Sequence, residues 1–579
     1  MRKDTHRTLR LRLWLLGLGF TAALAGICAR AVMLQVFDGP RLSRKAADQV
    51  EDSVKTAGKR GTIYDRRGQE MAVSVTVSSI AARPAEIPDR EAAVRELAAV
   101  LRMKPQEVRE RLDSPRKFVW IKRQAGPRET EALRRKHLPG IEFVSETNRF
   151  YPNRSLAAHV LGFTGVDGRG LEGVEFYYDA FLRPSEVSVK VLKDARRAGF
   201  LTELPAGRDP DGKNVILTLD HGIQYLAESA LNEAVAAARA RSGMAIVMEP
   251  ATGAILALAI APSFNPNAYE EAPRPLWRNR AVTDPFEPGS IMKIFLAAAA
   301  LEHTPLSPRS TFHCENGRYQ IGRHTVHDVH HYGVLSFQDI IRYSSNIGAA
   351  KIGGAVGPER LHETLSRFGF GRKTGIDSPA ETSGLLPPYR KWAEIDTAAI
   401  SFGHGMSASA LQLASAVSAI ANGGVLMKPH LVSAVTDAEG REVERFAPVA
   451  VGRAIRPETA RTLREILQSV LLPGGTGVLA ALDGYTACGK TGTARKVDER
   501  GQYVNDRHLA SFIGFAPAED PRITVLVVID EPKGQVYGGA VAAPVFKKIA
   551  QATLTRLNVP PAPAGGGKLR VAVDGGGRG

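Results

Sequence analysis

Ser290-Ile-Met-Lys293 leads into the apolar run Ile294-Phe-Leu-Ala-Ala-Ala-Ala-Leu301, which is built from strong helix formers and carries no breaker. Ahead of it, Phe286-Glu-Pro-Gly289 reads as a turn. On a helix, residues i and i+3 share a face, so this spacing sets the Lys293 amine beside the Ser290 hydroxyl. Ser344-Ser345-Asn346 and then Lys490-Thr491-Gly492-Thr493 follow in that order. A serine next to an amine, a second hydroxyl with an amide, and a further lysine flanked by hydroxyls are the parts of an active-serine acyl-transfer site.

Each motif alone is weak, because the chain repeats all three. Ser114-Pro-Arg-Lys117, Ser263-Phe-Asn265 and Lys373-Thr-Gly375 match the same patterns. Context chooses between the copies. Phe118-Val-Trp-Ile121 after the first reads as a strand, so no helix aligns Ser114 with Lys117. Ser263 precedes the nucleophile and sits among prolines. Lys373 follows Phe368-Gly-Phe-Gly-Arg372, whose glycines suggest a helix end and a loop. Lys490 instead heads a strand, hairpin and strand pattern running on to His508-Leu-Ala-Ser-Phe-Ile-Gly-Phe515, a rigid mount for a charged group. Taken singly, Ser290 would read as a helix N-cap, Asn346 as a turn or cap residue and Lys490 as a solvated charge. The ordered triple in suitable contexts reverses that reading.

At 579 residues the chain is too long for one core, and two or three domains are expected. The net charge of +16 raises nucleic acid as a partner. The basic residues are dispersed, aromatics make up only 7%, and no nucleic-acid motif is visible, so a basic surface near anionic lipid and cell wall is the simpler reading. Three cysteines are too few for a disulfide framework. Cys28 falls in the apolar N-terminal stretch, leaving Cys314 and Cys488 as two expected unpaired thiols.

Residues 13–29 carry no charge, and Ala31-Val-Met-Leu-Gln-Val-Phe37 extends the apolar stretch past Arg30. That length spans a hydrocarbon core of about 30 Å if Arg30 snorkels. Arg2, Lys3, Arg7, Arg10 and Arg12 precede it and favour a cytoplasmic N-terminus. The small-residue pattern Ala29-Arg-Ala31 would suit a cleaved signal peptide, but the apolar run continues beyond it, which favours a retained anchor. Everything after Phe37 is then expected outside the cytoplasm.

Residues 41–205 are rich in charge and short strand-like runs and carry no catalytic constellation, so they read as structural. Residues 205–212 read as a polar linker. A helix is expected over residues 222–239, and Met244-Ala-Ile-Val-Met248 with Ala254-Ile-Leu-Ala-Leu-Ala259 reads as a hairpin. Helices fill residues 290–420 and strands return after 485, the order of an α+β domain with helices on a largely antiparallel sheet. From Val559 the tail is Pro, Ala and Gly without pattern, which reads as disordered. The stretch Gly474-Gly-Thr-Gly477 reads as a turn near the site.

Two other patterns compete. Gly484-Tyr-Thr-Ala-Cys-Gly-Lys490-Thr491 matches a phosphate-binding loop letter for letter. That chemistry needs a helix next, and Thr491-Gly-Thr-Ala-Arg-Lys-Val-Asp-Glu-Arg-Gly501 is a poor one. His324, His327, Asp328, His330 and His331, with Cys314 upstream, form a dense cluster, but its spacing fits no common zinc site. A polar rim loop is the plainer reading, and no metal is expected.

At these motifs the chain resembles the class B penicillin-binding proteins, specifically the FtsI-like septal transpeptidases. Further support comes from Arg60-Gly-Thr-Ile-Tyr-Asp-Arg66, Ala157-Ala-His-Val-Leu-Gly162, Gly170-Leu-Glu-Gly-Val-Glu175, the stretch from Asn279 to Ser290, and Tyr537-Gly-Gly-Ala-Val-Ala-Ala-Pro-Val-Phe546. The resemblance runs from the N-terminal stretch to about residue 552. Arg67 departs from it, standing where the family usually has asparagine. No glycosyltransferase motif and no additional C-terminal binding module is recognisable.

The resemblance implies a cytoplasmic tail (1–12), a transmembrane anchor (13–37), a non-catalytic, dimerisation-type pedestal (41–205), a penicillin-binding transpeptidase domain (213–555) and a disordered tail (556–579). It implies D,D-transpeptidase activity on peptidoglycan stem peptides ending in D-Ala-D-Ala, acylation by β-lactams, an FtsW-like glycan polymerase and other divisome proteins as partners, and no cofactor. Ser290 would be the nucleophile, Lys293 its base, Ser344 a proton relay and Asn346 an orienting amide. Lys490 would supply positive potential, and Thr491, Gly492 and Thr493 would bind substrate. The backbone N–H groups of Ser290 and Thr493 would form the oxyanion hole. A hydrolase (D,D-carboxypeptidase or β-lactamase) would share the acyl-enzyme and differ in whether water deacylates it. A non-enzymatic β-lactam receptor or division scaffold is the remaining alternative.

Overall fold

The computed structural model describes residues 3–42, 51–193, 199–201, 210–498 and 502–561. It falls into two units, residues 1–58 with 184–211, and residues 59–183 with 212–579. In the first, an α-helix Lys3–Val32 runs into a π-helical turn Met33–Phe37. The segment Leu9–Phe37, of mean hydropathy 1.8, is the one helix among the described residues long and apolar enough to cross a membrane. The helix starts ahead of the expected anchor, because the basic residues before position 13 are themselves good helix formers. Glu51–Ala57 pairs antiparallel with Glu186–Lys193, which pairs with Gly199–Leu201. Most of the expected linker, residues 205–209, lies outside the described residues.

In the second unit the central sheet is five-stranded and antiparallel. Its order is Ile255–Ala261, Ser242–Met248, Ile523–Asp530, Tyr503–Ala516 and Cys488–Val497. The first three strands are buried throughout, because helices cover both faces. Strand side chains alternate between faces. Ala245, Val247, Val525 and Val527 join one core with Ile223, Leu231, Phe546 and Ile549, from helices His221–Ala237 and Ala543–Arg556. Met244, Ile246, Leu526 and Val528 join another with Phe295, Leu411 and Ile420. This is the α+β arrangement of helices on an antiparallel sheet expected from the pattern.

A second sheet crosses the expected boundary between pedestal and transpeptidase domain. It runs Glu442–Arg445, Val432–Thr436, Asn214–Leu217, Ile63–Tyr64, Glu70–Ala82 and Val119–Ala125, with Ile141–Phe150 also paired to Glu70–Ala82. Helices Arg90–Leu101, Pro105–Leu112 and Pro127–Lys136 bury Leu97, Leu101, Val108, Leu112 and Leu133 against Ile80 and Ile121. The signature segments lock together here. Arg60 Nε and Arg149 Nε each lie 2.6 Å from the wholly buried Glu175 carboxylate, and Arg60 also donates to Asp179 at 2.7 Å. The atypical Arg67 reaches Asp220 Oδ2 at 2.7 Å. The tail corrects one expectation. Arg556 ends a helix and pairs with Asp220, and Val559 is buried, its carbonyl accepting from Tyr485 Oη at 2.8 Å. Residues 562–579 lie outside the described residues.

Candidate active site

Ser290 sits in a single 3-10 turn, Gly289–Met292, rather than on the α-helix itself, which runs Lys293–His303. The difference is informative. Side chains at i and i+3 of a 3-10 turn eclipse one another, so Lys293 stands directly over Ser290. Gly289, at φ +57°, lets the turn press on the strand Cys488–Val497, where a Cβ would come within 2.8 Å of the Thr493 carbonyl. Gly492 is required for the same closeness, since a Cβ there would meet Ser511 Oγ at 2.3 Å and Ile291 Cγ1 at 2.9 Å. The strand lies at the sheet edge, so one row of its backbone groups is unpaired by sheet neighbours.

Ser344 occupies a left-handed position, φ 64°, between helices Phe337–Tyr343 and Asn346–Val356. Such a conformation is costly for a non-glycine residue and is held by its surroundings. Here it aims the side chain and carbonyl inward. Lys293 Nζ lies 2.9 Å from Ser290 Oγ, 2.8 Å from the Ser344 carbonyl, 3.2 Å from Ser344 Oγ and 2.7 Å from Asn346 Oδ1. Lys490 Nζ approaches the same hydroxyl from the other side, 3.0 Å from Ser344 Oγ. Ser344 thus bridges two lysines that are both wholly buried.

Burial pushes Lys293 down to about 7 against the opposing pull of Asp328. Burial, and then the neighbouring Lys293 charge, push Lys490 well below the ordinary lysine value. A neutral Lys293 has two hydrogens for the Ser344 carbonyl and Asn346 Oδ1 and a lone pair left for the Ser290 hydroxyl. Thr491 Oγ1 donates to Thr476 Oγ1 at 3.0 Å, and Gly538 N donates to Thr493 Oγ1 at 3.2 Å. The Thr493 hydroxyl proton therefore stays available to a ligand. Glu287, three residues before Ser290, accepts from His404 Nδ1 at 2.8 Å, Gly405 N at 2.9 Å and Tyr503 Oη at 3.0 Å. Burial raises its carboxyl, but these bonds outweigh it and hold the group below the usual value.

The structure thus brings Ser290, Lys293, Ser344, Asn346, Lys490, Thr491, Gly492 and Thr493 together from separate elements. The duplicate motifs go elsewhere. Ser114 follows helix Pro105–Leu112, and Asn265 caps a 3-10 helix by accepting from Asn267 N. Thr374 N and Gly375 N donate to the Glu381 carboxylate. The phosphate-loop pattern continues as a strand. His324 and His327 lie on a short hairpin with Arg318–Ile321, and among the described residues no group of three His, Cys, Asp or Glu side chains is set to hold a metal. Cys314 and Cys488 are free and buried.

Sequence reasoning grouped Asp328 with the histidines, whereas its carboxylate bonds Ser345, Asn346 and Ile347, and it took Thr476 only as a turn residue. Both form their contacts across more than a dozen intervening residues, which no local spacing reveals.

A family model for the penicillin binding protein transpeptidase domain matches residues 243–551, and one for the penicillin-binding protein dimerisation domain matches residues 55–217. The chain is 37% identical to the "Probable peptidoglycan D,D-transpeptidase PenA" of Neisseria meningitidis, over 93% of this chain and 91% of the relative. It is 35% identical to the peptidoglycan D,D-transpeptidase FtsI of Escherichia coli K12, over 93% and 90%. The crystal structure of penicillin binding protein 3 from Mycobacterium tuberculosis complexed with aztreonam superposes with a TM-score of 0.69 at 29% identity, covering 88% of this chain and 98% of that one. The chain belongs to the penicillin-binding peptidoglycan D,D-transpeptidases, the family of FtsI and PenA, with a dimerisation domain ahead of the transpeptidase domain.

Proposed function

We propose that this chain crosslinks peptidoglycan stem peptides at the division septum through an acyl-enzyme on Ser290. The observation that carries the reading is the contact of Lys293 Nζ with Ser290 Oγ at 2.9 Å, inside a buried ring with Ser344, Asn346 and Lys490. Ser290 Oγ attacks the penultimate D-Ala carbonyl while its proton passes to the lone pair of Lys293. The amide nitrogen of the terminal D-Ala leaves with a proton relayed through Ser344, and the acyl group remains as an ester. A neighbouring stem-peptide amine then attacks the ester, its proton returns to Ser290 Oγ, and the crosslink forms. Because the ester retains the energy of the cleaved bond, no ATP is needed.

Asn346 orients the donor amide. The substrate carboxylate binds at Thr491 and Thr493, and its charge favours the protonated form of Lys490. The N–H groups of Ser290 and Thr493 receive the oxyanion, a donor pair of which each member is worth about 3 kcal/mol. The helix before Phe37 anchors the chain in the inner membrane with its basic end in the cytoplasm, and the sheet-linked pedestal and transpeptidase domain stand in the periplasm. Residues 13–37, 41–205 and 213–555 serve as anchor, pedestal and catalytic domain, and an FtsW-like polymerase with other divisome proteins supplies and places the glycan.

The test is intact mass of the full chain in detergent after incubation with a fluorescent penicillin, beside Ser290→Ala. A stable single adduct lost in the variant supports the reading. Rapid turnover of the penicillin would make the protein a hydrolase, and the absence of any adduct would make it a scaffold. Depletion in the parent cell addresses the septal role, since filaments are expected and round cells would overturn it.

A further inference from the structure

Asp328 stands outside the three motifs, just past the strand His324–His327, yet its carboxylate seats the second of them. Oδ2 accepts from Ser345 Oγ at 2.6 Å, and Oδ1 accepts from the backbone N–H groups of Asn346 and of Ile347, the latter at 3.1 Å. Ser345 in turn caps the helix Asn346–Val356 by accepting from Gly348 N at 2.9 Å. The residue before it acts on the same helix end. The His327 carbonyl accepts from Asn346 Nδ2 at 3.0 Å, which turns Oδ1 of that amide toward Lys293 Nζ, 2.7 Å away. Asn346 is therefore gripped at its backbone and at its side chain by two consecutive residues of the hairpin.

We propose that Asp328 is the positioning residue of this active site, holding Asn346 and Ser344 in register with Lys293 and balancing the charge of that buried lysine. The inference rests on the reading of Lys293 as the base of Ser290. Lys293 faces Ser290 from its own turn, Ser344 and Asn346 from the loop and helix, and Lys490 from the edge strand. Asp328 is the carboxylate whose charge acts on it. Asp328 itself also faces Cys314 and Tyr332, both uncharged when protonated. Burial alone would leave Lys293 neutral but a poor proton holder. The opposing carboxylate keeps it near 7, where it can both take the serine proton and return it.

The experiment measures the acylation rate of the full chain in detergent by a fluorescent penicillin from about pH 5.5 to about 9, for wild type, Asp328→Asn and Asp328→Glu. Asparagine keeps the shape but loses the charge and cannot accept all three bonds. Its plateau rate is expected to fall about tenfold to a hundredfold. The midpoint of its acid limb is expected to move about one pH unit lower, because the charge that raised Lys293 is gone. Glutamate misplaces the carboxylate but keeps its charge, so its plateau falls while its midpoint stays with wild type. A merely structural residue would leave both midpoints unmoved, with rate losses that track a lowered melting temperature, and that result overturns the inference. So does a wild-type plateau in Asp328→Asn. Failure of the wild type to take label, or labelling of Ser290→Ala, overturns the parent reading instead and takes this one with it.

Discussion

Lys293 Nζ lies 2.9 Å from Ser290 Oγ with the whole lysine side chain out of solvent. Its folded value of about 7 against an ordinary 10.5 fixes two pH dependences of one sign. The base form prevails above 7, so acylation is expected to rise about tenfold per pH unit below 7 and to flatten above it. The unfolded chain holds the Lys293 proton up to about 10.5 while the folded chain releases it near 7, so unfolding takes up a proton in that window. This group therefore makes the fold more stable as pH rises from 7 toward 10.5. Rapid-mixing label kinetics check the first dependence. Melting of wild type against a Lys293 variant at two pH values checks the second.

Replacing Lys293 by methionine separates chemistry from fold. The side chain keeps its length and its apolar packing, while the lone pair is lost. Acylation is expected to fall by about two to four orders of magnitude, the usual worth of a positioned general base. Circular dichroism and a cooperative melt should remain those of a folded chain. An unchanged acylation rate would transfer the role of base to another group, with Ser344 between the lysines as the first to examine.

How much of this was legible beforehand follows from where each contact closes. Ser290 with Lys293 is a contact at i+3, and the ordered triple selects the motif copies that the fold brings together, so this cluster could be read from spacing. The helix-on-sheet architecture was legible because the strands Ser242–Met248 and Ile255–Ala261 are short apolar runs split by a turn. The 3-10 turn under Ser290 was not, because its tightness depends on Gly289 meeting Thr493 across more than two hundred residues. Asp328 read as one more member of a histidine cluster, since its partners lie 17 to 19 residues on and only the hairpin brings them near. The sheet joining the expected pedestal to the expected transpeptidase domain was equally hidden. Ile63–Tyr64 is two residues long and pairs with Asn214–Leu217 in parallel, which no local pattern announces.

Glu228 offers a pH effect away from the catalytic groups. Burial raises its carboxyl to about 7, although Oε1 accepts from Ala157 N at 2.8 Å and from Gln224 Nε2 at 2.7 Å. A folded value above the unfolded one means stability that is full below about 4.5 and lost as pH rises through 7. Glu228→Gln keeps the accepting oxygen and removes the ionisation. It is expected to match wild type at low pH and to exceed it by about 3 kcal/mol at pH 8. Chemical denaturation at the two pH values measures the difference, and equal stabilities at both would show that the buried carboxyl is relieved by solvent.

Glu175 gives the sharpest test of what holds the signature segments together. Its carboxylate is wholly buried between Arg60 and Arg149, each at 2.6 Å through Nε. Alanine there leaves two guanidinium groups in the interior with one anion fewer to balance them. Breaking a buried ion pair from one side typically costs about 3–5 kcal/mol, because the remaining charge stays desolvated. The first melting transition should fall on the order of 10 °C. Arg67→Ala is the matched control, since Arg67 is 49% exposed and Asp220 keeps its pairing with Arg556. With its cation half exposed and its anion still paired to Arg556, that contact is worth about 0–1 kcal/mol, so its transition should stay close to wild type. Equal melting of the two variants would mean that apolar packing around Tyr151, Leu161 and Val174, rather than the buried charges, fixes these segments.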